Sequence, residues 1–413
     1  MDKALKANSR WKGCASMIRK ELLELLFEAA SIQRWNDHIR PEHFTELDKQ
    51  AHKMVYAYVL AKIEEADHGA VINWPRLIEG GLFEFLHRIV LTDIKPPVYY
   101  KLMSEKGDQL NRWVLDQLKD RVSDLRIDLP LMMEEYFFSS NHENLEKKIL
   151  KAAHYLATNW EFKIIYRLNE GLYGLEETRE AIANQIEEHY DLAGVQKLAL
   201  GKKTSNFLDL VGQLRFQQRW AQSPRVPKTS VMGHMLIVAM MSYLCSIEIE
   251  SCPRRIYNNY FAALFHDLPE VLTRDIVSPV KRAVAGLEDI IKEIEHRQLE
   301  ERIFPLLPVA WHAELKYFTD NEFASKIVDG GQIRTVSSDE ISKHYNREHY
   351  SPLDGELIKA CDRLAAYIET FLSISHGIKS YHLEEANRQL YSLYSNQVIA
   401  GINFGHLYSY FKI

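Results

Sequence analysis

The chain has 413 residues and a mass of 48.2 kDa, beyond the size at which one hydrophobic core usually stops growing, so two domains are the natural expectation. Hydrophobic residues make up 46% and charged residues 26%, ordinary globular values. The formal net charge of −6 gives no general attraction for a nucleic-acid polymer or an anionic membrane, although a local basic pocket stays open. Cys14, Cys245, Cys252 and Cys361 are too sparse and irregular for a disulfide framework or a CxxC zinc site, which favours a reducing compartment and hence the cytoplasm.

In chain order, Met1 to Gly13 is polar and basic with no apolar signal region. Ile18, Leu22, Leu25, Leu26 and Ala29 then fall at helical spacing, as do Phe207, Leu210, Val211 and Leu214 later. Met235 to Ile247 is the most apolar long stretch. It is shorter than the roughly 18 to 20 residues that span a bilayer and reads as a buried core helix. Alternating strand patterns are rare. The turn signals Gly80-Gly81, Lys95-Pro96-Pro97 and Ser223-Pro224 are expected between helices, so the fold class is all-α.

Self-comparison reveals a repeated layout. The segment from Glu21 to Arg34-Trp35 lies against the segment from Asn206 to Arg219-Trp220, a shift of 185 residues. His52 answers His234, and Asp93-Ile-Lys-Pro-Pro97-Val answers Asp275-Ile-Val-Ser-Pro279-Val, both at a shift of 182. Leu150-Lys-Ala-Ala-His154 resembles Ile358-Lys-Ala-Cys-Asp362 at 208, which places extra residues of the second copy in the polar stretch 327–355. Any one match arises easily by chance in Leu-rich helices, but four in the same order indicate duplication. The expected units are residues 1–200 and 201–413. Glu84, Phe85 and Arg88 then stand where the second copy has His266, Asp267 and Glu270, so the first copy is expected to be metal-free. A rival alignment through His87 offers His52, His87 and His154 as three zinc ligands.

The chemistry concentrates where apolar helices break into polar groups. Phe265-His266-Asp267-Leu268-Pro269-Glu270 interrupts a buried run, His234 opens another apolar helix, and Asp362 sits in a third. Singly, a core His bonded to a carbonyl or an Asp paired with an Arg would account for each. Together, two imidazoles and two carboxylates on separate helices suit one divalent transition metal, whether manganese, cobalt, iron, nickel or zinc. Glu270, four residues after His266, is expected on the same helix face beside the ion.

These residues resemble the HD-domain metal-dependent phosphohydrolases, and within them the bacterial 5'-deoxynucleotidases. Arg219-Trp220, His234, the run from His266 to Lys281 and the late Asp362 follow that family's pattern over about residues 205 to 400. Three departures are visible. Gly233 replaces the Glu that usually precedes the first metal His, Cys361 replaces an Ala, and the segment before Asp362 is longer. The resemblance implies two tandem HD-domain-like helical bundles, with His234, His266, Asp267 and Asp362 as metal ligands. It also implies Glu270 as the proton-handling group, Asp275 as a catalytic or sugar-binding group, and Arg219, Trp220 and Lys281 around the nucleotide substrate. The implied activity is phosphate release from deoxynucleoside 5'-monophosphates. A deoxynucleoside triphosphohydrolase and a non-catalytic nucleotide-binding or assembly protein are the rival readings. Since such nucleotidases form dimers, the degenerate copy is expected to pack on the active one as an intramolecular pseudo-dimer, with homo-oligomers left open.

Overall fold

The computed structural model describes residues 18–139, 144–274, 284 and 286–413. Helices dominate them. In the first half these are α1 (Lys20–Glu28), α2 (Glu46–His68), α3 (Trp74–Leu91), α4 (Pro96–Leu118), α5 (Leu129–Phe138), α6 (Leu145–Leu168), α7 (Leu175–Glu187) and α8 (Ala193–Ala199). The second half begins with α9 (Lys203–Gly212), α10 (Val231–Glu248), α11 (Pro253–Phe265) and the single turn α12 (Glu270–Thr273). Longer helices follow at Leu287–Gln298, Val309–Thr319, Gly355–Ser375 and Tyr381–Tyr394.

Local chemistry explains many of the helix starts. Thr45, Asn73, Asp128, Asn144 and Ser230 each cap a helix by accepting a backbone N–H in its first turn. Prolines sit in the first turn of α3, α4, α5 and α11, where a missing N–H costs nothing. Gly80-Gly81 is not a turn but lies inside α3. A Cβ at Gly80 would meet Leu150 Cδ1 at 2.7 Å and one at Gly81 would meet Met54 Sδ at 2.5 Å, so the pair lets α3 approach its neighbours closely. Within the polar 327–355 stretch, strands Lys326–Asp329 and Gln332–Thr335 pair antiparallel around Gly330-Gly331, both at positive φ.

Several local features of the first half have counterparts in the second. Gln33 pairs with Thr45 and Gln218 bridges to Ser230, each pairing leading directly into a long buried helix, α2 and α10. Trp35 and Trp220 both take positive φ, at 54° and 57°, and so do Thr92 and Arg274, at 60° and 64°. Contacts between the halves are reciprocal. Tyr58 packs on Phe261 with ring centroids 4.9 Å apart, while Tyr243 donates to Glu79 Oε1 at 3.4 Å. The opening helix of each half packs on the long helix of the other, α1 on α10 and α9 on α2.

One connected apolar core runs from Ile18 to Phe411, with two small satellites around Trp160 and Phe162. Residues on both sides of Gly201 share it. Helix α10 is apolar and long enough to cross a membrane by composition, but 94% of it is buried inside this core. Burial at roughly 25 cal/mol per Å² of apolar surface makes such sharing decisive for stability. Residues 201–413 expressed alone should therefore aggregate or lack a cooperative thermal transition; a soluble monomer with a sharp melt by circular dichroism would show that the core divides.

Candidate metal centre

His234 lies in the first turn of α10, whose position is set by the Ser230 cap. The Ser230 hydroxyl accepts from Gly233 N at 2.9 Å and its carbonyl accepts from His234 N at 3.0 Å. Helix α11 ends at Phe265, and His266 is its C-cap. Glu270 does not continue that helix, contrary to the expectation of a shared face. Pro269 has no N–H to donate back to Phe265, and residues 266–269 form turns held by Leu268 N to Phe265 O and Glu270 N to Asp267 O before α12 restarts. Glu270 is nevertheless buried, and its carbonyl accepts from Gln217 Nε2.

Three of the four expected ligands converge. His234, His266 and Asp362 present donor atoms that all lie within 4.8 Å of one another. His234 Nε2 is 2.9 Å from Asp362 Oδ1. Asp267 stands beside this group, with Oδ2 at 3.1 Å from His266 Nε2 and 3.8 Å from Arg219 Nη1. His266 Nδ1 donates to the Ala263 carbonyl at 2.7 Å, which fixes the tautomer and leaves the Nε2 lone pair for a ligand. That Nε2 is buried and, despite its nearness to Asp267, makes no hydrogen bond of proper geometry. The donor set therefore fits a divalent ion.

The electrostatics agree. Burial alone would raise both carboxyls, yet His266 holds Asp267 below its ordinary range, and His234 and Arg363 hold Asp362 well below it. Burial likewise opposes charge on His266, but Asp267 and Asp362 push it up to about 9. His234 goes the other way, lowered by burial and by Arg219. The site keeps two carboxylates ionised in a largely buried place, where neighbouring positive charge offsets the cost of burial.

Arg219 and Trp220 belong to a second group around Glu369, a residue that sequence reasoning passed over. Fully buried Glu369 accepts from Trp220 Nε1 at 2.8 Å and Thr229 Oγ1 at 2.5 Å, with Arg219 Nε and Arg225 Nη1 each 3.4 Å away. Despite its burial, Arg225 and Arg219 hold it well below its ordinary range. Arg219 thus spans from Glu369 to Asp267. The first half has the same arrangement, with Glu161 accepting from Arg34 Nε at 2.9 Å and Trp35 Nε1 at 2.8 Å. Glu161 and Glu369 stand 208 residues apart, as His154 and Asp362 do, so that signal was present in the sequence. Asp275 and Lys281 lie outside the described residues.

Among the described residues, the first half brings no comparable ligand set together. His52 packs between Tyr56 and Trp160 and bonds the Leu208 carbonyl at 2.9 Å; His87 bonds Asn111 Oδ1; His154 accepts from Lys49 Nζ. The three-imidazole zinc alternative fails, because these rings serve separate partners. Nor does His52 stand opposite His234. The capping residues Thr45 and Ser230 are 185 apart, which sets Lys49 against His234, and the Lys49 to His154 contact against that of His234 with Asp362. Lys53 pairs with Glu84 nearby. Counted from the two caps, a lysine amine falls where the second half has His234 of its candidate ligand set.

Residues 211–391 match a protein-family model described as an HD domain, a range that contains every group of the second-half site described above. The chain carries an HD domain. Proteins similar to it include the 5'-deoxynucleotidase of Vibrio atlanticus, 26% identical over 191 residues that cover 46% of this chain and 84% of the relative. The 5'-deoxynucleotidase YfbR of Shigella flexneri is 24% identical over 184 residues, covering 44% of this chain and 79% of that protein. The 4'-phosphooxetanocin A phosphatase of Priestia megaterium is 24% identical over 192 residues, covering 44% and 97% respectively. The matched range lies in the second half and includes the adjacent His266 and Asp267.

The His266 shift has a testable sign. A folded-state value of about 9 against an ordinary 6.5 means that His266 adds stability fully below pH 6.5 and loses it as pH rises through 9. Metal-stripped protein should therefore show a falling melting temperature between pH 6.5 and 9, whereas manganese-loaded protein, with no imidazolium proton to lose, should not. Parallel melting curves in chelator and in manganese would contradict the assignment.

Proposed function

We propose that this protein is a metal-dependent phosphohydrolase that releases inorganic phosphate from nucleotides, with deoxynucleoside 5'-monophosphates as the best substrates. The observation that carries the reading is the convergence of His234, His266 and Asp362, with Asp267 alongside, inside an HD domain similar to 5'-deoxynucleotidases and a phosphatase. These four residues would hold the ion. When bound, a divalent cation supplies the electrophile that neutralises phosphoryl oxygens and lowers the pKa of water.

The remaining residues divide the work. Arg219, held between Glu369 and Asp267, offers a forked set of donors to the phosphate. Trp220, anchored by Glu369, flanks the sugar. Glu270, buried at the start of α12, moves the proton between the attacking water and the leaving oxygen. Asp275 and Lys281 complete the sugar and phosphate contacts in this reading. The two halves are read as tandem copies packed as an intramolecular pair, supported by the reciprocal contacts of Tyr58 and Tyr243 and by the two Arg-Trp-Glu groups.

Purified protein with manganese or cobalt should release inorganic phosphate from deoxynucleoside monophosphates faster than from ribonucleotides. Tripolyphosphate from triphosphates would instead support a triphosphohydrolase, and no product from any nucleotide a binding protein. Bound metal should approach one ion per chain by elemental analysis. Asp267→Ala should lose metal and at least about 100-fold in kcat/KM, nearly 3 kcal/mol of transition-state stabilisation. Retained activity in that variant would sink the ligand assignment.

A further inference from the structure

Gly233 departs from the family pattern immediately before the first metal-binding histidine, and the structure shows what takes up the space. A Cβ at position 233 would lie 2.9 Å from Asp48 Oδ1 and 2.9 Å from Leu47 Cδ2. Asp48 belongs to the first half, in the first turn of α2, and is buried. Its two oxygens serve two helices. Oδ2 accepts from the hydroxyl of Thr45, the N-cap of α2, at 2.8 Å, and Oδ1 accepts from the hydroxyl of Ser230, the N-cap of α10, at 2.5 Å.

The direction of both bonds follows from the caps themselves. Thr45 Oγ1 already accepts from Asp48 N and Ser230 Oγ from Gly233 N, so each hydroxyl turns its proton outward to the carboxylate. The carboxylate also lies at the N-terminal ends of α2 and α10, where the helix dipoles favour negative charge.

We infer that Asp48, contributed by the half whose described residues gather no comparable ligand set, is a positioning residue for the metal centre of the other half, acting through Ser230 on His234. The inference rests on the metal-site reading proposed above. Ser230 transmits the constraint because its side chain holds Gly233 N and its carbonyl holds His234 N, the first turn that aims the imidazole at Asp362. A side chain at 233 would evict the carboxylate. Its absence admits the group from across the interface, and the first half thereby completes the site instead of merely covering it.

The arrangement has two arms, and they separate a positioning role from a general structural one. The Ser230 arm leads to the ligand helix, whereas the Thr45 arm stays within the first half. The full-length chain and its Asp48→Ala, Asp48→Asn, Ser230→Ala and Thr45→Ala variants are titrated with Co2+ at a temperature where melts show each to be folded, followed by kcat and KM with a deoxynucleoside monophosphate. Loss of an outer partner that orients a ligand typically costs 10- to 100-fold in metal affinity. Asp48→Ala and Ser230→Ala should each weaken Co2+ binding by about 10-fold and together by little more than either alone. Asp48→Asn keeps the shape and removes one acceptor, so it tests the same point if the alanine variant does not fold. Thr45→Ala should lower the melting temperature, as loss of a helix cap does, and leave Co2+ affinity within about two-fold.

Unchanged Co2+ affinity in Asp48→Asn and Ser230→Ala, or an equal loss in Thr45→Ala, would overturn the inference while leaving the metal site intact. A wild-type chain that takes up no Co2+ would remove the site reading and this inference with it.

Discussion

Charge sunk in a helical core has to be compensated where it lies, and this constraint shapes both halves of the molecule. Glu161 is met by Arg34 and by Arg215 from across the interface, and Glu369 by Arg219 and Arg225. In each half a tryptophan N–H joins the same carboxylate. The groups next to these two carboxylates differ between the halves. The first places Lys49 and Lys53 beside His154 and Glu84, whereas the second leaves Asp267 and Asp362 facing two imidazoles. In the first half the amines are carried by the chain itself. The second has a donor set that fits a divalent cation, and such a cation could exchange ligands with water in a way a tethered amine cannot.

The halves are also bound through polar groups that neither could satisfy alone. Asp48 takes the cap protons of α2 and α10, His52 bonds the backbone of α9, and Arg215 reaches into the first half to Glu161. A buried polar group that loses its partner costs on the order of 1–3 kcal/mol. Separation of the halves would expose apolar surface and orphan these groups together, so specific polar pairing adds to apolar burial in holding the halves together. The exchange of opening helices, α1 onto α10 and α9 onto α2, extends the same interdependence over the length of the bundle.

Much of the site was legible in the sequence because its chemistry contradicts its surroundings. His234, the pair His266 and Asp267, and Asp362 each break an apolar run, and such breaks are informative without coordinates. The all-helical class was legible for the same reason in reverse, from the regular apolar spacing. Two local expectations failed where a short signal has more than one physical use. Gly80-Gly81 reads as a turn, but glycine also permits close helix approach, and its neighbours Leu150 and Met54 decide between the two. Glu270 follows His266 at helical spacing, but Pro269 between them ends the hydrogen-bond ladder.

The sequence by itself determined the helical class, the residue types of the candidate site and the recurrence of Arg-Trp in both halves, because these depend on residue identity and spacing along the chain. Tertiary structure alone decided which residues face each other. Sequence spacing matched His52 to His234, but the two helix caps set the register that puts Lys49 there, since a cap is defined by a hydrogen bond and not by a residue name. Glu369 and Asp48 were ordinary acidic residues until folding brought guanidinium and indole donors to the one and two hydroxyls to the other. Apolar patterning specifies what is buried, whereas the pairing of buried charges is settled only when distant segments meet.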